Sequence, residues 1–180
     1  MDDFCRLLEA EIPRLRRYAR ALTREVLRAD DLVQSCLIRA IGKQHLWQPG
    51  TDLRAWLFTM LHNQHVSDLR RSARDRNTVS IEDAIPVWTV RPNALDVLEL
   101  RDLEAAIAKL TNEQRQPILL VGLEGLRYDQ AAAILGIPIG TLCSRVSRAR
   151  DQLRTLMGMD AKRRRVAAAA DNAATKLRAA

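Results

Sequence analysis

The chain has 180 residues, with 29 Lys and Arg against 22 Asp and Glu, 47% hydrophobic residues and only 4% aromatics. That length holds one domain or two small ones, and the apolar content with seven Gly and six Pro excludes collagen-like, low-complexity and wholly disordered chains. The net charge of +7 is unevenly spread: residues 1–74 have 13 basic against 9 acidic, 75–100 have 2 against 5, 101–160 have 8 against 7, and 161–180 have 6 against 1. Much of the excess therefore sits in the tail, so overall basicity is no argument for nucleic-acid binding and local placement has to decide.

A helical period dominates. Phe4, Leu7, Leu8, Leu15, Tyr18, Ala19 and Leu22 recur at three- and four-residue steps, and Pro13 is expected to kink this helix or start a new one. The next helix, Arg28 to about Ile41, has one apolar stripe of Ala29, Leu32, Val33, Cys36, Leu37, Ala40 and Ile41. After the turn at Gln48-Pro49-Gly50, Thr51 or Asp52 can cap a third helix, whose stretch Leu53 to Leu61 is apolar on nearly every side and belongs inside a bundle. Residues 75–93 are acidic, contain Pro86 and Pro92 and lack the helical period, which predicts an extended linker. Periodicity resumes at Leu95, Leu98, Leu103, Ile107 and Leu110, and Thr111-Asn112-Glu113-Gln114 offers a capping box for a helix ending near Gly125. A short helix from about Arg127 to Leu135 follows, stopped by Gly136, then the turn Ile137-Pro138-Ile139-Gly140, then a longer helix from Thr141 to about Met157. The expectation is an all-α chain: two small helical domains, 1–74 and 94–160, a linker over 75–93 and a flexible basic tail over 161–180, with no strand and no repeat.

The short helix, Gly-bounded turn and longer helix have the proportions of a helix-turn-helix, whose second helix enters the DNA major groove. At 100° per residue, Leu142, Val146, Ala149, Leu153 and Leu156 point within about 40° of one direction, so they pack inward. Ser144, Ser147 and Arg148 point away, with Arg145 and Arg150 flanking the stripe. Small hydroxyls and a guanidinium suit base edges, flanking arginines suit phosphates, and Arg148 is the best candidate for a base contact; a solvated basic face has the same composition. On the helix from Arg28, Asp31, Gln34, Ser35 and Ile38 lie opposite the apolar stripe, and an exposed isoleucine there is either a docking surface or an unremarkable surface residue. From His62 the third helix turns polar, with Asn63, Gln64, His65, Arg70, Arg71 and Arg74. That density fits contact with bases and phosphates and equally fits an ordinary exposed helix end.

Other chemistries find little support. His62 and His65 have no third ligand at metal spacing, no H-E-x-x-H pattern occurs, and there is no G-x-S-x-G or phosphate-cradling Gly-rich loop, so neither metal, cofactor nor enzyme is expected. Cys5, Cys36 and Cys143 are odd in number and widely spaced, which predicts reduced thiols. The longest apolar runs, such as Ile118 to Leu123, fall far short of the roughly 20 residues that cross a bilayer. The N-terminus opens on Asp2 and Asp3 rather than a basic leader, so a soluble cytoplasmic protein without a membrane role is expected.

Three blocks, in this order on either side of an acidic linker, carry a resemblance: Arg28-Ala29-Asp30-Asp31-Leu32-Val33-Gln34, Leu53-Arg54-Ala55-Trp56-Leu57-Phe58, and Leu123-Glu124-Gly125-Leu126-Arg127-Tyr128-Asp129-Gln130-Ala131-Ala132. The last continues into Ile134-Leu135-Gly136-Ile137-Pro138-Ile139-Gly140-Thr141, Ser144-Arg145 and Arg148-Ala149-Arg150. Over about residues 10–157 the chain resembles bacterial sigma factors of the sigma-70 family, in the extracytoplasmic-function group, and the wording of its motifs resembles the general-stress subgroup. The resemblance implies a subunit that binds core RNA polymerase and gives it promoter specificity. It implies that Asp31, Gln34, Ser35, Ile38 and Arg39 dock on the clamp helices of the beta-prime subunit. It further implies that Trp47, Asn63, Arg70 and Arg71 serve the minus-ten element, where holding an unstacked base offsets the cost of strand opening. Thr141, Ser144, Arg145, Ser147, Arg148 and Arg150 would serve the minus-thirty-five element, with this domain also touching the flap of the beta subunit. The linker would run through the polymerase interior, and an anti-sigma factor is an expected partner. Cys143 departs from the basic residue many relatives carry there, which counts against a DNA contact from that position.

Two other readings compete. A sigma mimic that titrates an anti-sigma factor would be fused to a receiver domain, for which this chain has no room, and it would not need Arg145, Arg148 and Arg150. A stand-alone helix-turn-helix repressor leaves residues 1–74 without a task.

Overall fold

The structure, a computed structural model of the chain, describes residues 2–74 and 94–159, with side chains from residue 3 in the first span and from residue 100 in the second. The predicted linker and the basic tail lie outside the described residues. Among the described residues there are seven α-helices and no strand: α1 Asp2–Thr23, α2 Val26–Gly42, α3 Leu53–Arg74, α4 Ala94–Ala108, α5 Asn112–Ile118, α6 Tyr128–Leu135 and α7 Ile139–Leu156.

The local chemistry accounts for most boundaries. Helix α1 runs unbroken through Pro13, against the expected kink or restart. Pro13 and Glu9 are both exposed, so the Glu9 carbonyl that loses its amide partner is open to water. The helix ends at Arg24, whose φ of 62° is left-handed. Of the two expected caps of α3, Asp52 serves: its Oδ1 accepts from the Ala55 amide at 3.0 Å. Ahead of α5, Gln114 Oε1 accepts from both the Thr111 amide at 3.3 Å and the Thr111 hydroxyl at 3.1 Å. The helix expected to continue to Gly125 instead ends at Ile118 and widens into one π-turn, Leu119–Leu123, where the Glu124 amide bonds the Leu119 carbonyl at 3.0 Å.

Burial largely follows the predicted stripes. Leu15, Tyr18, Leu57, Phe58 and Leu61 are fully enclosed, with the Tyr18 and Phe58 rings edge to face at 5.2 Å. Leu119, Leu120, Leu142 and Val146 are equally enclosed on the other side. Three expected core positions are instead open to solvent: Leu7, Ile41 at 50% exposure, and Leu156. The reason at Leu156 is length: an 18-residue helix spans about 27 Å while α5 and α6 beneath it are 7 and 8 residues long, so its last turns overrun their support. The two helical sets are not separate bodies. One continuous apolar cluster joins them, with α6 against the start of α3 and the π-turn against α1.

Candidate nucleic-acid interface

In the second helical set, Gly136 with φ 63° closes α6, and the amides of Gly136 and Ile137 return to the carbonyls of Ala133 and Ala132 at 3.2 and 3.1 Å. Pro138 precedes α7, which begins two residues earlier than predicted. Leu142, Val146 and Ala149 are buried as expected, Leu153 only half so. Ser144, Ser147 and Arg148 are exposed on the other side, Ser144 Oγ donating to the Thr141 carbonyl at 2.9 Å and Thr141 itself half-buried. Arg148 is exposed, and among the described residues it has no hydrogen-bond or ion-pair partner, so its five N–H donors are without a protein acceptor. The flanking arginines are already tied: Arg145 pairs with exposed Glu113 at 3.1 Å, and Arg150 donates to the Tyr128 hydroxyl at 3.1 Å.

On α2, Asp31, Gln34, Ser35, Ile38 and Arg39 are all exposed, Ile38 at 64%. The face is wider and more apolar than expected. Leu27 at 73% and Ile41 share the 27, 31, 34, 38, 41 stripe, making three unpartnered aliphatic side chains on one helix. Ile41, expected on the inner stripe, lies at its edge and is exposed.

The C-terminal half of α3 brings Asn63, Arg70 and Arg71 together. All three are exposed and, with Val66, Ser67 and Arg74, line an open hollow of about 610 Å³. Trp47 does not join them; it leans on Phe4 with ring centroids 5.5 Å apart and is half-buried. His62 and His65, expected on the polar side, are buried instead. Burial lowers both imidazoles, His65 to about 4 with His62 adding to the effect, because an apolar surround disfavours the charged ring. Cys36 is buried against the Leu57 carbonyl, and burial pushes its thiol up to about 12, while Cys5 and Cys143 are exposed. Among the described residues no group of three His, Cys, Asp or Glu is placed to share a metal, and no helix is long and apolar enough to cross a membrane.

One cluster escaped the sequence reading. Glu124, just after the π-turn, has no exposed side-chain surface, and its carboxylate is met from the first helical set. Arg17 of α1 forms a two-pronged pair, Nε to Oε1 at 2.9 Å and Nη2 to Oε2 at 3.0 Å, and reaches the Leu123 carbonyl at 3.2 Å. Arg54 of α3 approaches Oε2 at 3.4 Å, bonds the Glu124 carbonyl and lies 5.8 Å over the Phe58 ring. Tyr18 is buried alongside; burial first and the Glu124 charge second push its hydroxyl well above the usual phenol range. The only hint in the sequence was a carboxylate set in the apolar run from Ile118 to Leu126.

Residues 8–62 match the family model of the sigma2 domain of PhyR, and residues 100–153 match that of sigma-70 region 4. The ECF RNA polymerase sigma factor EcfG of Rhodopseudomonas palustris (strain TIE-1) is 41% identical over 155 residues, 84% of this chain and 83% of that protein. The ECF sigma factor SigC of Mycobacterium tuberculosis (strain CDC 1551 / Oshkosh) is 36% identical over 141 residues, covering 69% and 68%. Among solved structures, the sigma factor RpoE in complex with the anti-sigma factor NepR from Bartonella quintana superposes with a TM-score of 0.76 at 39% identity, covering 89% of this chain and 99% of that one. CnrH in complex with the cytosolic domain of CnrY gives 0.64 at 26% identity, covering 87% and 88%. With a sigma2 region, a region 4 carrying the exposed helix-turn-helix, and this extent of likeness, the chain belongs to the ECF RNA polymerase sigma factors, transcription initiation factors that direct core polymerase to promoters.

Proposed function

We propose that the two helical sets divide the promoter between them, 1–74 engaging polymerase and the minus-ten element and 94–160 the minus-thirty-five element. The observation that carries this reading is Arg148: a guanidinium with every donor free, midway along the exposed face of α7 and flanked by Ser144 and Ser147. Such a side chain reads a guanine edge, while Thr141, Arg145 and Arg150 position the helix on phosphates. Arg145 would exchange Glu113 for a phosphate, an inexpensive trade because Glu113 is 73% exposed. On α2, Asp31, Gln34, Ser35, Ile38 and Arg39, widened by Leu27 and Ile41, form the polymerase-docking face. Asn63, Arg70 and Arg71 hold the minus-ten strand, with Trp47 at the edge of that site rather than within it. The chain works in the cytoplasm, catalyses no reaction of its own and is held in check by an anti-sigma factor, as RpoE and CnrH are found in complex with NepR and CnrY.

The test is transcription with purified core polymerase. Arg148→Ala is expected to weaken selection of minus-thirty-five sequences by about 1–3 kcal/mol while sparing polymerase binding. An equal loss on every DNA sequence would reduce Arg148 to a phosphate contact. Ile38→Asp, which places a charge where desolvated contact is needed, is expected to abolish core association with the helical spectrum unchanged. Undiminished association would remove α2 as the docking face.

A further inference from the structure

We propose that Glu124 is an electrostatic latch holding the two regions together in the free chain, and that it must release before one molecule engages both promoter elements. The proposal rests on the promoter reading above for its functional half and on geometry alone for its structural half. Glu124 has a carboxylate with no solvent contact, and the groups that neutralise it, Arg17 and Arg54, both belong to the other region. Two further bonds stitch the same seam: Gln130 Nε2 of α6 donates to Asp52 Oδ2 at 2.7 Å, and Arg24 reaches the Ala108 carbonyl at 3.5 Å. Asp52 caps α3, so the closed form holds α6 against the first turn of the helix whose far half carries Asn63, Arg70 and Arg71.

Distance makes the closed form incompatible with a bipartite promoter. Elements named minus-ten and minus-thirty-five lie about 25 base pairs apart, about 85 Å along B-form DNA. A compact body of this many residues is only about 40 Å across. The 19 residues between Arg74 and Ala94 reach at most about 65 Å when drawn out, enough to separate the regions once the seam parts. Opening returns the carboxylate to water, which offsets part of the lost pairing, but it also uncovers the apolar cluster that the regions share, so the closed form predominates in the free chain. Deleting Arg17 is different, because it leaves the fully buried Glu124 carboxylate to Arg54 alone at 3.4 Å, whereas deleting Glu124 leaves Arg17 and Arg54 partly in contact with water.

The native cysteines supply the probe: Cys5 on α1 and Cys143 on α7 are exposed while Cys36 is buried, so a donor and an acceptor dye on the full chain report the distance between regions. The wild-type chain is expected to show one high-transfer population. Arg17→Glu should shift the closed-to-open ratio by at least about tenfold toward low transfer, Glu124→Gln less, and Arg17→Glu combined with Glu124→Arg should recover high transfer. Circular dichroism on each variant keeps opening distinct from unfolding. With unlabelled chains, Arg17→Glu should reach half-maximal transcription on core polymerase at a several-fold lower concentration than wild type. The same transfer histogram for wild type and Arg17→Glu overturns the latch, and so does an opened histogram without the lower half-maximal concentration. A wild-type chain that directs no transcription fails the promoter reading instead, and the histograms still decide the latch.

Discussion

His65 of α3 sits in the pocket shared with Arg115 of α5, with burial and the neighbouring His62 pressing its ring to about 4 while Asp68 pulls the other way and Arg115 adds a smaller push down. The folded chain therefore keeps it neutral where the unfolded chain, near the ordinary 6.5, takes up a proton. Its contribution to stability is complete above pH 6.5 and is lost as pH falls toward 4, since the unfolded state binds more protons in that window. Thermal melts across that range should fall less steeply for His65→Asn than for wild type, and equal slopes would show that the imidazole does not titrate there. The free guanidinium of Arg148 was legible in the sequence because it followed from angular position on one helix. Burial of His62 and His65 was not, since their polar identity outweighed their helical phase: both fall on the inner side with Leu61.

At the scale of elements, caps and turns carried nearly all the boundary information. Asp52, Gln114 and Gly136 act within a few residues of themselves, so their roles survive any tertiary arrangement. Arg115 is the exception. It donates to the carbonyls of Ile107, Ala108 and Leu110 at 3.2, 2.8 and 2.7 Å, and so satisfies the end of α4 from within α5. Burial first, then the charge of Arg24, lowers its pKa, yet these acceptors hold it in place. Arg115→Met should destabilise the chain by about 3 kcal/mol in urea titration, because the Leu110 carbonyl loses its donor while those of Ile107 and Ala108 keep only the Leu110 amide and Arg24. Arg115→Lys should recover only part, lacking the planar fork that spans them. Pro13 shows the converse: a strong local breaker is overridden where the orphaned carbonyl is left in water.

For the whole molecule, the consequence of a shared core is cooperativity. Leu15, Tyr18 and Phe58 belong to the same apolar cluster as Leu119, Leu120 and Leu142, so calorimetry on the wild-type chain should give one transition. Arg17→Glu should split it into two as the regions separate. A single unchanged transition would mean that apolar contact alone couples them. The helix pattern, the caps and the outward face of α7 are readable from residue order, because an α-helical hydrogen bond spans four residues and its phase is set every 3.6. The closure between Glu124, Arg17 and Arg54 joins positions 107 and 70 residues apart. It depends on how finished helices stack, and a lone carboxylate in an apolar run signals that a partner is needed without saying which arginine, among the many in this chain, will arrive.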